Sequence, residues 1–230
     1  MDTLDCDVLT LRELNRALRS LEVGSSVRLR NPGGRHNLAV GLETSVSVTI
    51  EGNAGYFVGG LCGSRSDAGP DITVKGFVGW SVGENLMSGT VRVRGSASQS
   101  AGSSAHGGLI AIDGDASLRA GISLKGGTLA VAGDAGAMTG FMAQAGTILV
   151  GGNVGHGLGD SLYEAVIYVG GSIASLGADA REEELTDEDV LEVKRLVART
   201  GFDHIDPAAV RRVASARSLY HFSTRHHGAY

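Results

Sequence analysis

TVRVRGSASQSAGSSAHGG at 90–108 and LIAIDGDASLRAGISLKGG at 109–127 share one pattern, and that pattern decides the fold. Each opens with apolar residues at its second and fourth positions, then has Gly at the sixth and the thirteenth. The register extends without a gap in both directions. DITVKGFVGWSVGENLMSG precedes from 71; TLAVAGDAGAMTGFMAQAG, TILVGGNVGHGLGDSLYEA and VIYVGGSIASLG follow from 128, 147 and 166. Position six is Gly76, Gly95, Gly114, Gly133, Gly152 and Gly171. Position thirteen is Gly83, Gly102, Gly121, Gly140 and Gly159. Position eight is small or branched throughout: Val78, Ala97, Ala116, Ala135, Val154 and Ile173. An earlier block from Ser47 fits the same columns and then carries five extra residues within LCGSRSDAG. A looser block begins near Ser26.

A 19-residue unit is too short for helical repeats, which need about 33 residues or more. Gly at this density would also cost a helix about 1 kcal/mol per site. Leucine-rich repeats want a Leu ladder and Asn that this pattern lacks. Alternating apolar residues closed by Gly predict short strands ending in a bend. One such unit cannot enclose a core, but stacked copies lay every apolar column over its own copy, about 4.8 Å away. The expectation is an all-β chain: a right-handed parallel β-helix of about seven coils of 19 residues, roughly 30 Å long. Both Gly columns are expected at corners that need positive φ and leave no room for a Cβ. A phosphate cradle is set aside, because no block leads into a helical pattern.

Thirty of the 36 glycines lie between Gly52 and Gly177, and only two follow, which puts a boundary near 178. Three regions result: an N-terminal helical cap over 1–25, the β-helix over 26–177, and a C-terminal helical segment and tail over 178–230. Thr10-Leu11-Arg12-Glu13 is a capping box that opens a helix to about Ser20, with Leu11, Leu14 and Leu18 on its apolar side. Thr186-Asp187-Glu188-Asp189 opens a second helix to about Arg199. Asp206-Pro207 predicts a third through about Ala216. These helices are expected to cover the open ends of the stack, whose bare strand edges invite aggregation.

The composition narrows the function. Hydrophobic residues are 42% of the chain, which argues against disorder. A net charge of −5 gives no footprint for nucleic acid. No apolar run of membrane-spanning length occurs and the N-terminus is acidic, so a cytoplasmic location is expected. Cys6 and Cys62 make neither a disulfide framework nor a metal spacing. The histidines 36, 106, 156, 204, 221, 226 and 227 are scattered, and His226-His227 is a weak metal pair. Asp113 and Asp115, which flank Gly114, are read as turn or solvent-face residues rather than as a pair of catalytic acids. No catalytic, cofactor-binding or metal-binding residue is assigned.

One stripe stands out after the second Gly column, in GENLMSG, GSSAHGG, GISLKGG, GFMAQAG and GDSLYEA. Position seventeen is Met87, His106, Lys125, Gln144 and Tyr163; position fourteen includes Glu84, Phe141 and Asp160. This stripe reads either as an ordinary solvated face or, from its mixture of aromatic, thioether and single charged groups, as a docking face.

The Gly columns resemble the Gly-x-Gly-x-Gly β-helix domain that ends the large subunit of glutamate synthase, a motif also found in the β-helix component of formylmethanofuran dehydrogenase. NPGGRHNLAVGL at 31–42, GENLMSGTV at 83–91, HGGLIAIDG at 106–114, GISLKGG at 121–127, FMAQAG at 141–146, GDSLYEA at 159–165 and SLGAD at 175–179 look like the free-standing form. That form is the β-helix subunit family of N-methylglutamate synthase, also called methylamine–glutamate N-methyltransferase. The likeness covers roughly 25–230. It implies a non-catalytic scaffold in a larger hetero-oligomer. The partners it implies are a class II glutamine amidotransferase with an N-terminal Cys nucleophile and a synthase partner that carries FMN and an iron–sulfur cluster. The alternatives are the β-helix component of a formylmethanofuran-dehydrogenase-like complex and, more remotely, an independent carbohydrate-active β-helix.

Overall fold

The computed structural model describes residues 2–65 and 68–218. In chain order its elements are β1 (Asp2–Asp5), α1 (Leu11–Arg19), β2 (Ser26–Arg30), β3 (Ser47–Ile50), β4 (Asp71–Val74) and β5 (Thr90–Val93). There follow β6 (Leu109–Ile112), β7 (Lys125–Val131), β8 (Ala145–Val150) and β9 (Val166–Val169). β10 (Ala180–Glu183), α2 (Asp187–Thr200) and β11 (Arg211–Ser215) complete the chain. All strands form one sheet in the order β1-β2-β3-β4-β5-β6-β7-β8-β9-β11-β10.

From β2 to β9 each strand pairs in parallel with the next, and Val48, Ile72, Val91, Ile110, Leu129, Ile148 and Ile167 lie in one register line. A second line of parallel bridges runs through position eight, from Ala54 to Ile173. The parallel β-helix expected from the repeat is therefore present. Its interior is filled by five columns, at positions two, four, eight, twelve and sixteen, such as Ile110, Ile112, Ala116, Ala120 and Leu124 in one coil.

The two Gly columns have different physical reasons. In the thirteenth column φ is positive; Gly121 has φ +72°, and a Cβ there would lie 2.5 Å from Ile148 Cδ1. In the sixth column, from Gly76 to Gly171, φ is not left-handed, which corrects the expectation from sequence. Crowding alone excludes a side chain there. The residue at position seven of one coil accepts a hydrogen bond from the position-seven N–H of the next. The Asp134 N–H donates to Asp115 Oδ1 at 2.9 Å, Asn153 N–H to Asp134 at 2.6 Å and Ser172 N–H to Asn153 at 2.9 Å. This ladder fills the space beside position six. A Cβ on Gly133 would sit 2.1 Å from Asp115 Oδ1.

The ends are closed less simply than the sequence predicts. The capping box of Thr10 and Glu13 opens α1, whose Leu14 and Leu18 are fully buried against the first coils. Asn15 ties α1 down, donating to the Asn37 carbonyl at 2.8 Å and accepting from the Val40 N–H at 3.2 Å. The region 1–25 also contains a strand, β1, paired in parallel with β2. At the far end the predicted third helix over 206–216 is absent. Asp206 does cap one turn, accepting from the Ala208 N–H at 3.0 Å. The chain then becomes β11, which pairs antiparallel with β9 and with β10. The open edge of β9 needed hydrogen-bond partners, and this outweighed the local helix signal. β10, with Arg181, Glu182 and Glu183, leaves a charged edge that disfavours further pairing.

α2 forms as expected, from a capping box at Thr186 to Gly201 in the left-handed conformation. It does not cover an end. It belongs to a second apolar cluster on the outer face of the sheet, where Val193, Leu196, Phe202 and Ile205 meet Ala111, Ala130, Leu149 and Tyr168. These last four are the position-three residues of β6 to β9. Asp189 pins the helix: the Tyr168 hydroxyl donates to it at 2.5 Å and Arg212 Nε at 3.0 Å. Burial would raise this carboxyl, but hydrogen bonds from Thr186, Tyr168 and Arg212 outweigh it and hold the pKa at about 2.

Candidate functional site

The stack gives the protein three outward sides, one for each stretch of the coil. The side bearing positions one, three and five is the sheet, half covered by the C-terminal segment. The second side bears positions seven to eleven, and the third bears fourteen to eighteen.

On the third side the position-seventeen residues stack in register. His106 N–H donates to Leu86 O at 2.8 Å, Lys125 N–H to Ala105 O at 2.8 Å, Gln144 N–H to Leu124 O at 2.6 Å and Tyr163 N–H to Ala143 O at 2.9 Å. Met87, His106, Lys125, Gln144 and Tyr163 thus form one line, about 19 Å long at four strand spacings. Lys125 and Gln144 are exposed, and Met87, His106 and Tyr163 are half-buried. Glu84, Phe141 and Asp160 lie beside them and are half-buried, and Met142 is exposed. Burial, with the cations of Lys125 and Arg65, pushes the His106 pKa down. Asp160 is structural as well, accepting from the Ala178 N–H at 3.1 Å.

The second side carries a feature that the sequence pattern alone does not bring together. Tyr56, Phe57, Phe77 and Trp80 cluster in two adjacent coils and are between 38 and 55% exposed. His36 stacks on Tyr56 with ring centroids 4.3 Å apart, and Tyr56 stacks on Trp80 at 5.2 Å. A signal is present in the columns. Position seven is Asn, Ser or Asp in every other coil from 47 onwards, yet Phe77 stands there in the coil from 71. Phe77 receives the ladder from Asn53 at 3.1 Å but has no oxygen with which to pass it on.

The other reactive groups have structural partners. Cys6 and Cys62 are buried free thiols. Cys62 Sγ donates to the Ala39 carbonyl at 3.1 Å, and burial pushes its pKa to about 11. Asp113 bridges Arg92 at 2.8 Å and Arg94 at 3.0 Å. His204 meets the Ala132 carbonyl at 2.9 Å, and His156 meets Ser175 at 3.3 Å. His221, His226 and His227, with Tyr220, Phe222 and Tyr230 of the tail, lie outside the described residues. Among the described residues no three His, Cys, Asp or Glu side chains gather as a metal site. No described helix is long and apolar enough to cross a membrane.

No family model matches the chain. It is 48% identical over 233 residues to protein GlxC of Rhizobium meliloti (strain 1021), and the match covers 100% of both chains. At that identity over the whole length, the chain belongs to the family of protein GlxC.

Proposed function

We propose that this chain is a scaffold subunit of a glutamate-synthase-like, glutamine-dependent complex of the N-methylglutamate synthase type, acting in the cytoplasm. It holds a class II amidotransferase subunit and an FMN and iron–sulfur subunit in place and supplies neither nucleophile nor cofactor ligand. The observation that carries this reading is the position-seventeen line. Its residues follow no core or turn requirement, yet they stack in strict register, and Lys125 and Gln144 at its middle are exposed. Its mixture of Met, His, Lys, Gln and Tyr suits a protein interface, which takes up aromatic and thioether groups that a solubilising surface avoids. The line docks one catalytic subunit and fixes its distance from the other, so that ammonia passes between them.

The purified chain alone is expected to show no glutaminase, synthase or methyltransferase activity and to bind no flavin. Stoichiometric flavin absorbance in the folded, isolated subunit would overturn the assignment. In the assembled complex, Phe141→Ala with Tyr163→Ala is expected to leave the β-helix folded, weaken co-purification and uncouple glutaminase from synthase turnover. A folded double variant with wild-type pull-down and coupling ratio would remove the line from the interface.

A further inference from the structure

We infer that the aromatic patch of Tyr56, Phe57, Phe77 and Trp80 is a second docking surface. It takes a protein subunit whose contact face combines aliphatic side chains with carboxylate or carbonyl oxygens. This rests on the scaffold reading above but concerns another side of the prism and a different partner from the one on the position-seventeen line.

Three features set the patch apart from chance exposure. The first is its structural cost. Phe77 interrupts a hydrogen-bond ladder that Asn, Ser and Asp carry in the neighbouring coils. The second is size. Four such side chains at this exposure leave on the order of 350 Å² of largely apolar surface, taking about 200 Å² for each. A standard interface covers about 800 Å² per partner, a little over half of it apolar, so the patch alone supplies most of the apolar share of one side.

The third feature identifies the occupant. Tyr56 lies nearly parallel to its neighbours, at 25° to His36 and 17° to Trp80, so both faces of its ring are taken. The Tyr56 ring therefore turns only its edge to solvent, and an aromatic edge carries partial positive charge. His36 Nδ1 accepts the Tyr56 N–H at 2.8 Å, which leaves the proton of the neutral ring on Nε2 as a donor. Among the described residues the Trp80 indole N–H makes no hydrogen bond, so it too is available to an acceptor. A second copy would set these donors against donors. A different subunit bearing acceptor oxygens complements them.

The test uses the tagged full chain purified from its own organism with the subunits that accompany it in stoichiometric amount. Phe77→Asn restores the ladder, so the variant should fold at least as well as wild type by thermal melt. It should nevertheless lose one accompanying subunit at least tenfold, and keep the one lost by Phe141→Ala with Tyr163→Ala. Trp80→Phe keeps a ring but removes the donor, and should speed dissociation of the same subunit by about tenfold. A Phe77→Asn, Trp80→Ala double variant that keeps the full complement would overturn the proposal while leaving the scaffold reading intact. A wild-type homodimer broken by Phe77→Asn would also overturn it, in favour of a second copy. A wild-type chain that emerges as a lone monomer defeats the scaffold reading and, with it, this one.

Discussion

The two halves of the outer sheet face share one column and answer to opposite surroundings. At position three, β2 to β5 carry Arg28, Thr49, Thr73 and Arg92, whereas β6 to β9 carry Ala111, Ala130, Leu149 and Tyr168. The inward columns at positions two and four stay Val, Ile or Leu along the same coils. The first half faces outward with ion pairs such as Arg28–Glu51 at 3.1 Å and Lys75–Glu51 at 3.3 Å. The second half lies beneath α2 and the segment after it. Arg92 marks the seam, its guanidinium 5.7 Å from the Phe202 ring centre. In a stacked coil, an inward residue meets its own copy, so repetition is enforced. An outward residue meets whatever covers that coil, so divergence within one outward column records the covering.

Ala130→Arg is the harshest test of this comparison. It buries a cation with no partner beneath α2, and should cost about 4 kcal/mol in denaturant unfolding. Thr73→Arg, at the same column position in the open half, should stay within about 0.5 kcal/mol. Equal effects would mean that covering does not divide the column.

Gly133→Val tests the inward rule, and Gly114→Val repeats it one coil earlier. Either should cost about 3 kcal/mol, because the new Cβ meets the position-seven ladder of the coil before. Adding Asp115→Ala to a milder Gly133→Ala should recover part of the loss by removing the oxygen 2.1 Å away. A melt unchanged by Gly133→Val would show that the ladder yields.

Acid should release the covered half first. The Asp189 pKa lies below its ordinary value in the fold, so its contribution is complete above about pH 4 and fades as pH falls toward 2. The loss is about 2 kcal/mol. Amide exchange in α2 should quicken across that window while the central strands stay protected. Asp189→Asn should abolish the step, and an acid profile shared equally by helix and strands would contradict local release.

Phe77→Asn carries a small effect of the opposite sign. It supplies the missing acceptor and removes an exposed ring, so stability should rise by about 0.5–1 kcal/mol. A loss of stability would mean that Phe77 serves the fold rather than a contact.

The repeat is legible in the sequence down to the register, because Gly76 to Gly171 and the apolar columns recur every 19 residues. The stacking of Met87 with His106 and Lys125 follows from the same arithmetic. The aromatic patch is harder to see, although Phe77 in a column of Asn, Ser and Asp announces it, because single exposed aromatics look ordinary until coils are placed side by side. The strand at Arg211–Ser215 is hidden for another reason: Asp206-Pro207 is a sound local helix start. What overrides it is an unpaired edge about forty residues earlier, at β9.

The sequence by itself determined the coil, its length, its inward columns and both capping boxes. Each of these depends on contacts within a turn or between identical neighbours, which a period records directly. Only the tertiary structure decided that α2 lies along the sheet rather than over its end, that β11 closes the stack, and that the sixth Gly column is empty for a neighbour's side chain. Those outcomes depend on which distant surfaces meet, and no periodicity along the chain carries that information.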